Sequence, residues 1–332
     1  MQLLILLLLI ASFSVCCKAD VCQSCIQQQH VWCVDTSICQ AASCNVTVKD
    51  RLNCPTAPKP GYEYTDDFGR YTAMPIIVAA GLTDPTVCLK NAIPNMVLHK
   101  LINAPCSSYG TNTSCQVYTA YDVTQQIIVI SFRGTDGETQ LLEEFESLLD
   151  KKEPFFDSGH VFKFFYDAFV LLWGEGLEAS VRSLKYLYPS YNVWVFGHSL
   201  GGALASVGAS YIEKVGLATP EQLRLVTFGQ PRTGDRAYAE WHDNTFLYSY
   251  RIVNHKDLVP RVPPLGGPDE IWHHRYEIWY NNKMAKGMPW IMSAEGDGHY
   301  GANAQPDAIT VDHMTYFDRD MYKWAGKGCH QN

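Results

Sequence analysis

The chain has 332 residues, of which 47% are hydrophobic and 18% charged, with a formal net charge of −8. That is long enough to bury one large core or two, and too apolar for a disordered linker. An acidic balance without a basic stripe excludes nucleic acid as an expected partner, because neutralising phosphates demands clustered Lys and Arg.

At the N-terminus, an apolar run from Leu3 to Val15 leads to Cys17-Lys18-Ala19, a small-x-small cleavage pattern. Residues 1–19 read as a signal peptide, since the run is shorter than the about 20 residues that span a bilayer. A secreted or extracellular protein, or one of the secretory lumen, is expected, with no transmembrane segment. Ten of the twelve cysteines follow Ala19, an even number suited to disulfides in an oxidising compartment. Six of them (Cys22, Cys25, Cys33, Cys39, Cys44, Cys54) crowd residues 20–56, whereas Cys88, Cys106, Cys115 and Cys329 are dispersed over 57–332. Two modules are expected.

The first module has little apolar material, so disulfides must stabilise it. Its connectivity stays open, because six cysteines allow about 15 pairings. A zinc site at Cys22-x-x-Cys25 is disfavoured by the lack of a second Cys-x-x-Cys. With its Trp32-Cys33 pair the segment resembles the PSI or plexin-type repeat, which implies a role in interaction or folding support; its protein partners are unknown. Asn45-Val46-Thr47 and Asn112-Thr113-Ser114 are glycosylation sequons compatible with surface loops. Pro55, Pro58, Pro60 and Gly61 read as a linker.

In the larger module, strand-like runs at 126–132, 193–196, 223–228 and 248–253 alternate with helical stretches at 162–188 and 200–215. This alternation predicts an α/β fold with a mostly parallel sheet flanked by helices, with ligands at the carboxyl ends of the strands. The segment VWVFGHSLGGALA (193–205) turns there from strand to helix. A nucleophile on such a turn needs neighbours without bulk, which Gly197 and Gly201 supply, and the helix N-terminus favours developing negative charge. Ser199 is the candidate nucleophile. His198 should point away across the turn as a packing or hydrogen-bonding residue.

A serine hydroxyl needs a base, and the base needs an orienting carboxylate, in the chain order Ser, Asp or Glu, His. Asp257, in NHKDLVPRVPP, and His313, in DHMTYF, satisfy that order. His299 also does, in the glycine-rich GDGHYG. His255 sits too close to Asp257 to partner it easily, Asp312 could position the loop of His313, and His273 and His274 read as solvent-facing or structural.

The blocks ISFRGT, GHSLGGALA, TFGQPRTGD, NHKDLVPRVPP and DHMTYF, in this order, resemble the signature blocks of the class 3, fungal-type triacylglycerol lipases of the α/β-hydrolase fold. The resemblance spans roughly 71–329 and implies Ser199 as nucleophile, Asp257 as acid and His313 as general base. It also implies an oxyanion hole from Leu200 and Thr135, and a lid after that threonine. In ETQLLEEFESLLD, Leu141, Leu142, Phe145, Leu148 and Leu149 share one helical face opposite Glu143, Glu144 and Glu146. This lid departs from the family in being acidic and in lacking tryptophan. Of the dispersed cysteines, Cys106 is expected to pair with Cys115 and Cys88 with Cys329, tying the tail past His313 to the first helix. The expected activity is ester hydrolysis on acylglycerols at an oil-water interface, with transient peripheral lipid contact and neither metal nor organic cofactor. The alternatives are a phospholipase, an esterase of soluble esters, or a non-catalytic binding protein. The Phe162, Phe164, Phe165 and Phe169 cluster is read as core or as an acyl-chain wall.

Overall fold

The computed structural model describes residues 21–45, 47–106, 114–134, 151–265, 270–297 and 301–331. The signal segment, the lid, Thr135, Asn112 and His299 lie outside them. Strands β1 (Val31–Cys33), β2 (Ile38–Gln40) and β3 (Thr47–Val48) form a small antiparallel sheet in the order β2-β1-β3. Disulfides Cys22–Cys54, Cys25–Cys39 and Cys33–Cys44 lace it together. Trp32 is buried against Cys22, Cys25, Val48 and Cys54. So few apolar side chains cannot offset the chain entropy of folding, and the cross-links act by restricting the unfolded state.

The rest of the chain contributes β4 (Val97–Pro105), β5 (Ser114–Asp122), β6 (Ile127–Phe132), β7 (Lys152–Pro154), β8 (His160–Phe162) and β9 (Asn192–His198). It continues with β10 (Leu223–Phe228), β11 (Gly234–Asp235), β12 (Ser249–Asn254), β13 (Ile271–Trp272), β14 (Glu277–Tyr280) and β15 (Ile291–Ser293). Eight of these form the central sheet in the order β15-β14-β12-β10-β9-β6-β5-β4. Pairing is parallel from β6 through β9, β10 and β12 to β14, and antiparallel at both edges. Strands β13, β11, β8 and β7 make a second, smaller sheet.

Side chains alternate along each parallel strand and so feed two cores. Ile128, Ile130, Val193, Val195, Leu223 and Leu225 pack against helices Lys163–Leu172, Glu178–Leu187 and Leu200–Lys214. Ile127, Val129, Trp194, Phe196, Val226 and Phe228 pack against helices Met74–Ala79, Thr86–Ala92 and Met321–Gly326. Both faces being covered explains the continuous apolar strands, since a parallel sheet has no wet side. The phenylalanines at 162, 164, 165 and 169 belong to the first of these cores. Small residues let the Leu200–Lys214 helix lie close to the sheet: a Cβ on Gly208 would press on the Phe132 and Phe169 rings.

The helix expected over 162–188 is interrupted. A wide turn at Trp173–Leu177 contains Gly176 at φ 126°, so the two halves change direction there. The helix that carries Cys88, Thr86–Ala92, follows another at Met74–Ala79 and is not the first. Among the described residues, no helix is long and apolar enough to cross a membrane.

Candidate active site

Strand β9 passes into the Leu200–Lys214 helix through a single residue, Ser199, at φ 57° and ψ −129°. A non-glycine residue held in such a sparsely populated region costs about 1–3 kcal/mol and persists only where its surroundings over-determine it. Here the Ser199 N–H donates to the Phe228 carbonyl at 2.9 Å, and its neighbours leave no alternative. A Cβ on Gly197 would overlap the Gly201 carbonyl, and one on Gly201 would enter the Phe132 and Arg133 backbone. Strand β6 thus runs up against the turn, and a Cβ on Gly134 would lie 3.5 Å from that of Ser199.

The neighbouring parallel strands end at the same level, with Phe228 registered against His198 on one side and Ile252 on the other. Three residues beyond the end of β12, Asp257 is fully buried. Its Oδ1 accepts the Val259 N–H at 2.9 Å, and its Oδ2 accepts the Tyr316 hydroxyl at 3.2 Å. His313 Nδ1 lies 2.9 and 2.8 Å from the two carboxylate oxygens. A carboxylate can only accept, so Nδ1 carries the proton, and Nε2 is the nitrogen that is basic when the ring is neutral. Gly229, at φ +54°, makes room for this pair: a Cβ there would lie 2.6 Å from His313 Cε1 and 2.8 Å from Asp257 Oδ2.

His198 does more than pack. Its Nε2 donates to the His313 carbonyl at 2.8 Å, its Nδ1 accepts from the Tyr322 hydroxyl at 3.0 Å, and the two histidine rings stand 4.3 Å apart. Burial holds the pKa of His198 well below the usual histidine value, and a nearby His313 charge adds to the effect. A ring kept neutral can donate at one nitrogen and accept at the other. The loop of His313 is fixed from the other side as well. Asp312 Oδ2 accepts from His255 Nδ1 at 2.9 Å and from the Lys256 N–H at 3.1 Å, while Asn254 Nδ2 donates to the Asp312 and Thr315 carbonyls.

The geometry therefore brings Asp257 and His313 together beside the Phe228 strand end that receives the Ser199 N–H, with Leu200 at the first helical position, and gives His255 and Asp312 to each other. His273 and His274 are not solvent-facing: both are buried. His273 Nε2 donates to the Pro260 carbonyl at 2.8 Å, and His274 contacts Ser206 and Gln230 behind the nucleophile helix. Burial first, then the charge of Arg251, pushes His274 down to about 3. Sequence reasoning missed Gly229, Tyr316 and Tyr322; the first two stand inside the quoted TFGQPRTGD and DHMTYF blocks, where they were legible as neighbours without an assigned task. The structure joins Cys88 to Cys329 and Cys106 to Cys115. Asn45 is exposed.

The family described as Lipase (class 3) matches residues 129–267. The lipase ZK262.3 of Caenorhabditis elegans is 30% identical over 286 residues, 76% of this chain and 79% of that protein. Among solved structures, the lipase from Rhizopus microsporus var. chinensis superposes with a TM-score of 0.66 at 22% identity, covering 78% of this chain and 90% of that one. A triacylglycerol lipase whose catalytic centre is formed by a serine protease triad superposes with a TM-score of 0.64 at 22% identity, covering 78% and 97%. With a strained serine elbow on this sheet and that relative matched over most of its length, the chain belongs to the class 3 lipase family, serine carboxylic ester hydrolases of the α/β-hydrolase fold.

Proposed function

We propose that the protein is a secreted lipase that hydrolyses acylglycerol esters through an acyl-enzyme on Ser199, with His313 as general base and Asp257 as the orienting carboxylate. The observation that carries this reading is the buried His313–Asp257 contact of 2.8 Å, set against Gly229, next to the strand end that receives the Ser199 N–H. In the acylation step Ser199 Oγ bonds to the ester carbonyl carbon while its proton passes to His313 Nε2. The carbonyl electron pair moves onto oxygen, facing the N–H of Leu200 in the first helical turn, where N–H groups have no acceptor within the helix. Collapse breaks the bond to the alcohol, which takes the proton from His313. Water then repeats the sequence on the acyl-enzyme and releases the acid. Thr135 would complete the oxyanion hole, and the apolar face of the 141–149 segment would cover the cleft in water and turn toward lipid at an interface. The relative with a TM-score of 0.64 is a triacylglycerol lipase, which favours acylglycerols as substrate.

Secretion rests on the 1–19 leader and on ten cysteines paired in five disulfides, a pattern of oxidising compartments. Residues 20–56 would then be the cysteine-rich module and 57–332 the hydrolase, with glycans at Asn45 and Asn112.

The test compares wild-type protein with Ser199→Ala on a medium-chain triglyceride taken across its solubility limit, and on a phospholipid dispersion. A rate that climbs once emulsion forms and falls by on the order of 10⁴ or more in the variant is expected. Serine-dependent hydrolysis of the dissolved ester with no climb would remove the gating lid. Faster turnover of phospholipid would replace the substrate, and an undiminished Ser199→Ala would end the triad reading.

A further inference from the structure

The cysteine-rich module ends in a short turn, Arg51–Asn53, capped by Asp50 and closed by the Cys22–Cys54 disulfide. Each of the four residues 50–53 bonds the hydrolase. Asp50 forms a two-pronged ion pair with Arg236, and Arg51 pairs with Glu240. The Leu52 carbonyl accepts Arg275 Nη2 at 2.9 Å in a buried contact, and the Asn53 side chain bonds both the N–H and the carbonyl of Asp297 at 3.4 Å. Four consecutive residues aimed at one partner make a docking edge, which a tethered module that merely floated would not need.

The far side of that edge leads to the catalytic loops. Asp297 is buried and pairs with the equally buried Arg232, at 2.7 Å between Oδ1 and Nη2. Arg232 Nη1 in turn donates to the Arg261 and Pro263 carbonyls at 2.7 and 2.6 Å. These close the turn that starts at Asp257, whose Oδ1 receives the Val259 N–H. Arg232 Nη2 also reaches Asn303 Oδ1 at 3.0 Å, and Arg261 Nη1 reaches the Asp307 carbonyl at 2.7 Å. Both partners lie on the stretch that precedes His313. A buried guanidinium that has used its donors on one carboxylate and three loop oxygens fixes those loops only while the carboxylate stays in place.

We propose that the cysteine-rich module is an internal clamp for catalysis: residues 50–53 seat Asp297, Asp297 seats Arg232, and Arg232 holds the loops that present Asp257 and His313. Asp50, Asn53, Asp297 and Arg232 are positioning residues, and the proposal rests on the triad reading given above. A second binding function for this edge is thereby excluded while the module is docked, because its side chains are occupied within the chain.

The full-length protein carrying both Asp50→Ala and Asn53→Ala tests this. Steady-state hydrolysis of a short-chain soluble ester is normalised to serines titrated with a chromogenic phosphonate, so that a misfolded fraction does not count. The expected result is a kcat per titrated serine about tenfold lower with KM within twofold, since small misplacements in a catalytic constellation act on turnover. A charge-swapped pair, Asp50→Arg with Arg236→Asp, should regain most of the loss seen in Asp50→Arg alone. Wild-type kcat per titrated serine in the double variant, alongside an inactive Ser199→Ala, would overturn the clamp and leave the triad standing. A raised KM with kcat unchanged would overturn it too, by placing the module at the substrate. Ester hydrolysis surviving in Ser199→Ala would remove the triad reading instead. If the double variant yields no titratable serine, Arg236→Gln, which breaks the same ion pair from the hydrolase side, is read by the same criteria.

Discussion

Gly229 shows how little freedom the site has at the level of single atoms. It follows β10 at φ +54°, a region that penalises any side chain, and the space a Cβ would take is already filled by His313 Nδ1 at 2.7 Å and Asp257 Oδ2 at 2.8 Å. Gly229→Ala should therefore lower kcat by about 100-fold, the loss typical of an ångström-scale displacement of catalytic groups. The backbone penalty should take roughly 1 kcal/mol or somewhat more from stability, leaving a folded protein whose melting temperature falls by a few degrees. Turnover of a soluble ester and thermal unfolding, measured side by side, separate the two effects; near-normal turnover would mean that the pair relaxes around the methyl group. The same crowding explains why the His198 ring is so closely held. Its two hydrogen bonds, to the Tyr322 hydroxyl and the His313 carbonyl, hold the histidine loop from beneath.

The helix Arg236–Thr245 illustrates an element whose chemistry is decided by its neighbours. It carries Arg236 and Glu240 toward the cysteine-rich module, and buries Asp243 beside Arg275, with 3.1 Å between Oδ2 and Nε. Burial raises Asp243 from its ordinary 3.8 to about 7, against the opposing pull of Arg275, its N–H and Arg251. Between those two pH values the unfolded chain has lost this proton and the folded chain keeps it. Unfolding then releases a proton, so the contribution of this group is largest below pH 4 and declines as pH rises to 7. Asp243→Asn cannot ionise, so its melting temperature relative to wild type should climb from pH 4 to pH 8; a constant difference would show that the folded carboxyl is already ionised at low pH. Neither the helix nor the burial nor the partner was legible in RAYAEWHDNT, a mostly polar stretch. The parallel strands were legible because a sheet covered on both faces needs unbroken apolar runs such as IIVISF and LRLVTF. The antiparallel pair β4 and β5 was not. As an edge strand, β4 is half exposed, and its VLHKLINAP mixes charge with apolar residues, so its pairing depends on a partner elsewhere in the chain. The break at Trp173–Leu177 had a visible cause in WGEGL, two glycines within one turn, which an apolar helical pattern on both sides outweighed.

Over the whole molecule, the loops that carry Asp257 and His313 hang between two cross-linked ends. The cysteine-rich module docks at one end. At the other, Cys88–Cys329 joins helix Thr86–Ala92 to the tail across a sequence separation of 241, reinforced by Asn91 Nδ2 donating to the Gly328 carbonyl at 2.8 Å. Closing so long a loop removes much entropy from the unfolded chain, about 5.5 kcal/mol in the chain-entropy account. In a domain of this size that corresponds to a melting temperature lower by roughly 10 °C when both cysteines become serine. Chemistry should suffer less than stability. Among the described residues, neither cysteine forms a hydrogen bond to Ser199, Asp257 or His313, and the tail reaches the site through Tyr322 and His198 and through the Tyr316 hydroxyl on Asp257. At a temperature where both proteins are still folded, Cys88→Ser with Cys329→Ser should keep kcat within a few-fold of wild type, whereas Tyr322→Phe should lower kcat with little change in melting. The opposite ordering, with the disulfide variant melting normally but turning over poorly, would make the bond a part of the histidine support instead of a stabiliser of the fold. The two variants act on one path from different ends, so their combination should be additive in melting temperature only if the tail stays docked without its covalent link.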